Sequence, residues 1–278
     1  MKKVGILYHP MKNDAQPLAK KLEDYFSSKS LKTWVCSAWE GETAKNQLNG
    51  TDLIISIGGD GTILRAAQTV IPEAIPIIGI NLGKLGFMTE LSVNETMAKI
   101  STLLDGEGWI DERYVIEARF LPANDGQKSQ KLFYALNDII IRGAVAKVVY
   151  IETSIDDERL TTYKADGVIV ATATGSTGYA LAANGPILHP QNKDLLLLPV
   201  VPHLSTTYSL VVPSTNTVKL VVINTHSSTL SVDGHINLPL SSGDSIMVKH
   251  SSKTVQFLRI HPKTSFYSSL EQKLRGKQ

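Results

Sequence analysis

At 278 residues the chain suffices for one large domain or two ordinary ones, and 42% hydrophobic with 19% charged content fits a globular protein rather than a disordered one. With 28 basic and 26 acidic side chains the net charge is +2, and the lysines are scattered or confined to the two ends. That leaves no basic stripe for nucleic acid and no strong field toward an acidic membrane.

No run approaches ~18 consecutive apolar residues, so a membrane-spanning helix is excluded. Met1-Lys2-Lys3-Val4 leads directly into a strand-like segment, without the apolar core of a secretory signal. The single cysteine, Cys36, precludes an intramolecular disulfide and suits a reducing compartment. Its apolar-rich surroundings, residues 33–38, make it a buried structural thiol rather than a nucleophile. The expectation is a soluble, cytoplasmic protein.

Residues 4–8 form a short apolar run that reads as a strand. Leu18, Leu22, Tyr25 and Phe26 then recur at helical spacing after Asn13-Asp14, a plausible cap. Residues 31–38 and 53–57 read as two further strands, the latter ending abruptly in glycines. A helical pattern over 63–70 stops at Pro72, residues 76–80 make a fourth strand, and 93–104 an amphipathic helix. Strands alternating with helices imply a parallel sheet covered by helices.

After Trp109 the pattern changes. Residues 114–121, 131–135, 139–142, 148–155, 167–171, 209–212, 218–223, 229–232 and 245–248 are short β-rich runs separated by turn residues, as in an antiparallel sandwich. Residues 176–183 read as a short helix within this β region, and 124–131 as a mobile loop. Residues 265–274 return to helix and could pack back on the first domain. The expected layout is an α/β domain over 1–110 with 255–278, and a β-rich domain over 111–254.

Gly58-Gly59-Asp60-Gly61-Thr62 follows a buried strand and opens a helix. Glycines beyond the carboxyl end of a parallel strand let backbone approach phosphate oxygens, and the helix presents free N–H groups. A carboxylate repels phosphate, so Asp60 fits a hydroxyl about to lose its proton, or a Mg²⁺ ion; either suits phosphoryl transfer. The plainer alternative is a tight turn with Asp60 as a helix cap. No Walker-type Gly-x-x-x-x-Gly-Lys-Ser/Thr and no Gly-x-Gly-x-x-Gly after the first strand occur. The seven histidines form no zinc pattern.

Asn137-Asp138 lies between two apolar runs. Such pairs are usually turn residues, but an Asp can hold ribose hydroxyls and an Asn amide can read an adenine edge. Downstream, Asp166-Gly167 and then Thr172-Ala173-Thr174-Gly175-Ser176-Thr177-Gly178-Tyr179 supply hydroxyl and glycine donors, with Tyr179 offering a stacking face. The alternative is a capped helix with Tyr179 in the core.

In this order and spacing the three constellations resemble the NAD kinase family over nearly the whole chain. The glycine-rich Asp turn is shared with diacylglycerol- and sphingosine-type lipid kinases and has a relative in phosphofructokinases. Residues 174–179, Asn137-Asp138 and Asn81-Leu82-Gly83-Lys84-Leu85-Gly86-Phe87 select NAD kinase. The resemblance implies a Rossmann-like, phosphofructokinase-like α/β domain and a β-sandwich-like NAD-binding domain. It implies transfer of the γ-phosphate of ATP, or of polyphosphate, to the adenosine-ribose 2′-hydroxyl of NAD, with Mg²⁺ or another divalent metal.

By resemblance Asp60 is the general base, and Gly58, Gly59, Gly61 and Thr62 form the turn where ATP phosphates meet the NAD ribose. Arg65 lies near the phosphates, Phe87 beside the adenine, and Asn137 and Asp138 on the adenosine. Lys164 and Asp166 flank the nicotinamide end. Thr174, Thr177, Gly178, Tyr179 and Ala182 line the rest of the groove, and His235 stands where the family has glutamine in Asp233-Gly234-His235. Ala173, Gly178 and Asn184 depart from the family's proline, alanine and glycine; the Gly178 change is expected to cost helix propensity. A homodimer or homotetramer is implied, with small-molecule substrates and no nucleic-acid or membrane partner. A lipid kinase, or a dinucleotide-binding regulator without turnover, are the rival functions.

Overall fold

The computed structural model describes residues 1–83, 86–104, 106–124, 130–145, 147–203, 208–223, 226–263 and 265–275. Lys84 and Leu85 of the loop quoted above, and residues 125–129 of the polar stretch, lie outside the described residues. The chain forms two compact units, Met1–Arg113 with Thr254–Gln278, and Tyr114–Lys253.

The first unit opens with β1 (Lys3–Tyr8), α1 (Ala15–Ser28), β2 (Lys32–Ser37), α2 (Gly41–Lys45), β3 (Leu53–Gly58), α3 (Asp60–Val70), β4 (Ile77–Asn81), β5 (Leu91–Ser92) and α4 (Val93–Leu104). Its strands run parallel in the order β2-β1-β3-β4, with β5 beside the end of β4. Every residue of β3 and β4 is buried. A sheet covered on both faces demands such continuous apolar runs, which is why these strands do not alternate. α1 buries Ala15, Leu18, Ala19, Leu22 and Phe26, one helical stripe. Asp14 occupies the N-cap position, but its side chain makes no capping bond.

β6 (Trp109–Leu121) carries the chain into the second unit. There follow β7 (Lys131–Ala135), β8 (Asp138–Gly143), β9 (Val149–Ile155), β10 (Glu158–Ala165), β11 (Gly167–Ala171), a 3-10 turn at Gly175–Thr177, α5 (Tyr179–Ala182), β12 (Leu195–Val200), β13 (Leu210–Val212), β14 (Thr217–Val222), β15 (Ser228–Val232), β16 (Ile236–Leu240) and β17 (Ser245–Arg259). One antiparallel sheet runs β13-β12-β11-β8-β15-β16; β10, β9, β14 and the start of β17 form another. Ile139, Ile141, Val168 and Leu197 of the first share one apolar cluster with Ile151, Leu220, Ile246 and Val248 of the second. The alternate residues Ile140, Ile169, Leu196 and Leu198 face the other way and pack with Ala180 of α5. The second unit is therefore a sandwich whose first sheet is covered on both faces.

The end of β17 returns to the first unit, where Phe257 pairs in parallel with Ile77, and α6 (Ser265–Arg275) follows. Among the described residues no helix is long and apolar enough to cross a membrane. Cys36 is buried, and burial, then Glu40, push its thiol up to about 11, so it stays a neutral, unreactive thiol.

Candidate functional site

In the first unit, β3 delivers Gly58 to the carboxyl edge of the parallel sheet, and the chain turns directly into α3. The three glycines of the turn have different causes. A Cβ on Gly58 would lie 2.1 Å from Thr62 Oγ1, so packing requires glycine there. A Cβ on Gly59 or Gly61 would meet nothing within 4 Å. Those two leave open space above the backbone rather than filling an internal need, as a close-approaching ligand demands. Thr62 is buried, and its Oγ1 accepts the Gly59 N–H at 3.4 Å, tying the turn to the helix.

Asp60 is not a helix cap. It is the first residue of α3, the N-cap position belongs to Gly59, and its carboxylate is taken by a different segment. Oδ2 accepts the Phe87 amide at 2.8 Å and Oδ1 the Met88 amide at 3.0 Å. The segment comes this close because Gly86 has no side chain; a Cβ there would lie 2.3 Å from Asp60 Oδ1. The Gly86 amide donates to Thr89 Oγ1 at 3.2 Å and the Gly83 amide to Asn81 Oδ1 at 3.0 Å.

A buried ionic group holds Met88 from behind. Arg259 donates to the Met88 carbonyl at 2.8 Å, pairs with Glu90 at 3.2 Å and with Asp111 at 3.2 Å. Asp111 also binds Arg113 at 2.6 Å, and Glu90 accepts the amides of Ile260 and His261, each at 2.7 Å. Burial opposes ionisation of Asp111, but Arg113 and Arg259 outweigh it and hold its carboxyl below the usual range. Two acids and two bases thus neutralise one another beneath the Asp60 segment.

Arg65 is half-buried, with its guanidinium 4.2 Å from the Trp39 ring centroid, so it is not a free surface arginine. Trp39 also packs against His9, centroids 4.5 Å apart. Burial, then the Lys12 ammonium and, more weakly, Arg65, depress the His9 imidazole. Phe87 is half-buried and faces Lys273.

In the second unit, Asn137 and Asp138 stand at the entry to β8, fixed by Asp233. Its carboxylate accepts the amides of Leu136, Asn137 and Asp138 at 3.0, 2.7 and 3.2 Å. Asn137 Oδ1 is buried without a hydrogen-bond partner, an acceptor awaiting a donor. Asp138 is buried, and burial followed by the nearby Asp233 charge pushes its carboxyl up to about 7. His235 Nδ1 lies 3.0 Å from the Asp233 carbonyl, so His235 sits on the same turn.

The hydroxyl-rich segment packs against this pair. Thr172 donates to the Leu136 carbonyl at 2.6 Å and accepts the Gly175 amide at 3.0 Å. A Cβ on Gly175 would lie 2.0 Å from the Asn137 carbonyl oxygen, and one on Gly178 3.3 Å from Asn137 Nδ2. Ser176 donates to the Ala173 carbonyl at 2.6 Å and Thr177 to that of Thr174 at 3.2 Å. Several hydroxyls that the sequence offers as ligand donors therefore hold the turn itself; Thr174 and Thr177 are buried. Gly178 is the N-cap of α5 rather than an interior residue, so the expected helix-propensity cost does not arise. Asn184 takes the left-handed conformation, φ +62, that asparagine tolerates in place of glycine. Ala173 is buried.

Tyr179 is 44% exposed, which sets aside the core alternative. With Asp166 it lines a cavity of ≈ 590 Å³, together with Arg142, Lys147, Val200 and Val201. Lys164 lies 5.8 Å from the Tyr150 ring, and Ala182 is exposed on α5. The residues thus gather in three places: Asp60, Phe87 and the glycine turn in one unit, and in the other Asn137–Asp138 with Thr174, Thr177 and Gly178, then Asp166 with Tyr179. Sequence reasoning missed Gly86 as a contact of Asp60, Asp233 as the anchor of Asn137, and Arg142 and Lys147. Gly86 in the 81–87 segment and Asp233 beside Gly234-His235 carry a motif signal in the sequence; Arg142 and Lys147 carry none. Among the described residues no group of three or more His, Cys, Asp or Glu side chains could hold a metal ion.

Comparison with known proteins gives the family and the fold. The model of the ATP-NAD kinase N-terminal domain matches residues 4–108, and that of the ATP-NAD kinase C-terminal domain matches 136–260. The chain is 48% identical over 276 residues to the NAD kinase of Dehalococcoides mccartyi (strain CBDB1), covering 99% of this chain and 96% of that protein. It is 38% identical to the NAD kinase of Chloroflexus aggregans, covering 99% of each. Among solved structures, yeast NADH kinase complexed with NADH superposes with a TM-score of 0.87 at 21% identity, over 99% of this chain and 88% of that one. An NAD kinase from Archaeoglobus fulgidus in complex with ATP gives 0.78 at 22% identity, over 99% of each. These two establish the shared fold.

Proposed function

The chain belongs to the NAD kinase family, and we propose that it moves the γ-phosphate of ATP to the 2′-hydroxyl of the adenosine ribose of NAD with Asp60 as the general base. The observation that carries this is the Asp60 carboxylate, held by the Phe87 and Met88 amides at the end of β3. A carboxylate has about four lone-pair sites. Two are used by the amides, so the group is aimed and still able to accept a proton.

A ribose hydroxyl is a poor nucleophile at neutral pH. Holding it in line with the γ-phosphate and giving its proton an acceptor at hydrogen-bond distance lowers the barrier. The open backbone above Gly59 and Gly61, and the N–H groups of α3, suit the phosphate oxygens. On the acceptor side, the unpartnered Asn137 Oδ1 matches the exocyclic amine of adenine, and Asp138 the ribose. Asp166, Tyr179, Lys164 and the cations Arg142 and Lys147 suit the remainder of a charged dinucleotide. The described residues build no dedicated metal cage. A divalent ion would supply charge neutralisation between phosphates and be held mainly by the donor and water.

A lipid acceptor would call for an apolar groove, and the charged rim of this cavity argues against one. The valines at that rim, Val145 and Val201, are 57% and 64% exposed, which supports a homo-oligomer. The buried thiol supports a cytoplasmic setting, and polyphosphate remains a candidate donor beside ATP. The test is purified protein with Mg²⁺, NAD or NADH, and ATP or polyphosphate, assayed for the phosphorylated dinucleotide. NADP formation by the parent and its loss in Asp60→Asn are expected; turnover of that variant at the parent rate would remove Asp60 from the mechanism.

A further inference from the structure

Beside the glycine turn, the first unit gathers side chains from the ends of three parallel strands. His9 and Lys12 follow β1, Trp39 follows β2 and Gly83 follows β4, while Arg65 stands on α3 one turn beyond Gly61. Backbone bonds hold these ends together. The His9 amide donates to the Ile57 carbonyl at 2.9 Å, the Ala38 amide to that of Tyr8 at 2.9 Å and the Leu82 amide to that of Gly58 at 3.0 Å. The Arg65 guanidinium carbon lies 4.2 Å from the Trp39 ring centroid, and the His9 ring packs against the same indole at 4.5 Å. The Lys12 ammonium lies 4.0 Å from the place a Gly83 Cβ would take.

Neither cation is matched by an acid. Among the described residues no carboxylate lies within 4.0 Å of Arg65 or Lys12, and no acceptor takes a guanidinium N–H of Arg65. Both side chains are half-buried, and burial depresses the Arg65 guanidinium with nothing opposing it. His9 adds no charge at pH 7. Its Nδ1 accepts the Met11 amide at 3.2 Å, and burial, then Lys12 and, more weakly, Arg65 depress the imidazole. Trp39 is 38% exposed and is the surface on which Arg65 rests. A guanidinium over an indole is attracted to the π face, while its N–H groups stay available to an acceptor. Two partly desolvated cations without an acid are unfavourable by themselves, and an anion relieves that cost.

We propose that Trp39 is a positioning residue for the phosphoryl transfer: its ring seats Arg65 so that this guanidinium and the Lys12 ammonium grip the phosphate chain of the phosphate donor. This rests on the reading of the reaction given above and supplies its donor side with residues of its own. Gly61 and Arg65 share one face of α3, and the Cα–Cβ bond of Arg65 tilts toward the helix N-terminus, where Gly61 is exposed and has no side chain to intervene. The occupant is a chain of phosphates rather than a single one. Two cations on separate segments, beside the free N–H groups that open α3, suit anionic oxygens spread over several linked groups. Trp39 itself touches no substrate and acts through Arg65.

The test uses the full chain carrying Trp39→Leu, Trp39→Phe, Arg65→Met or Lys12→Met, and the double variant Trp39→Leu with Arg65→Met. kcat and KM for ATP and for NAD are measured beside thermal unfolding, and inorganic tripolyphosphate is titrated as a competitor of ATP. Arg65→Met and Lys12→Met should each raise KM for ATP and the inhibition constant of tripolyphosphate about tenfold, the effect of one charge-assisted hydrogen bond. Trp39→Leu should raise both about fivefold, and Trp39→Phe should bring them back to within about twofold because it keeps a π face. KM for NAD should stay within about twofold throughout, since the acceptor is held elsewhere. In the double variant, Trp39→Leu should add no more than about a further twofold to Arg65→Met, because it acts through that residue. Losses that multiply in the double variant, a larger change in KM for NAD than for ATP, or a loss that follows the melting temperature and is not rescued by phenylalanine would each overturn the proposal. Should leucine disturb packing, Arg65→Met and Lys12→Met still decide the matter: an unchanged KM for ATP in both overturns it. Failure of the parent protein to form NADP from NAD and ATP would instead overturn the reading of the reaction, so the two failures are told apart.

Discussion

Met88 is bonded from both sides: its amide donates to Asp60 Oδ1 at 3.0 Å, and its carbonyl accepts from Arg259 at 2.8 Å. One peptide segment thus links the carboxylate at the sheet edge to a buried ionic group. The orientation of Asp60 depends on residues far away in sequence, and the first prediction follows from that dependence.

Arg259→Leu leaves Glu90 and Asp111 with a single buried base, Arg113, between them. Removing one partner of a buried charge group typically costs ~3–5 kcal/mol, so denaturant unfolding should show a loss of that order. kcat should fall as well, because Met88 loses its rear support. Arg259→Lys should lose less stability yet not recover full activity, since an ammonium cannot reach Met88, Glu90 and Asp111 with the geometry of a planar fork.

Gly86→Ala places a methyl group where the Asp60 carboxylate now lies. The φ of Gly86 is not in the left-handed region, so backbone conformation is no obstacle; the contact with Asp60 is. A drop in kcat of about a hundredfold, comparable to loss of the base, should accompany only a small change in melting temperature. A parent-like kcat would mean that the carboxylate tolerates displacement.

Asn137→Ala separates binding from stability. The variant removes a buried acceptor that the folded protein leaves unbonded, and such a group ordinarily costs ~1–3 kcal/mol. Melting temperature should therefore hold or rise, while KM for NAD increases about tenfold or more and KM for ATP does not. Calorimetric titration with NAD would check the binding half of this.

Asp138 gives a pH dependence of defined sign. Burial and Asp233 raise its folded carboxyl from the ordinary 3.8 to about 7. The folded protein then binds the proton more tightly than the unfolded chain, so the stability from this group is present below about pH 4 and is lost as pH rises toward about 7. Asp138→Asn removes that loss: its melting temperature relative to the parent should climb between pH 5 and pH 8. A constant difference across that range would show that Asp138 does not titrate there.

The sequence disclosed the first unit better than the second. Buried parallel strands such as β3 are unbroken apolar runs bounded by glycine or proline, and they stand out. β10 was not legible, because Glu158, Arg159, Thr161 and Thr162 give it the composition of a loop, as its position at a sheet edge permits. β16 contains Pro239, and proline in a strand is tolerated only where no inward partner needs its N–H; β16 is an edge. β12 reads Leu-Leu-Leu-Leu-Pro-Val, whose leucines carry no β-branched signal. Asp60 was legible because a carboxylate among glycines is chemically odd. Its partners were not: Met88 offers only backbone groups, and Arg259 lies in a strand whose polar middle, His250 to Lys253, hides its length.

The first unit is assembled from both ends of the chain, with Arg259 and α6 joined to a sheet whose other strands come from the first hundred residues. On the ribosome, the glycine turn and Asp60 emerge well before Arg259, the residue that supports them. The nascent chain can form β1 through α4 and the whole sandwich while the Met88 carbonyl still lacks Arg259. Support for the Asp60 segment thus waits until Arg259 has been made, and a product truncated before it would carry every glycine of the turn with its carboxylate unsupported.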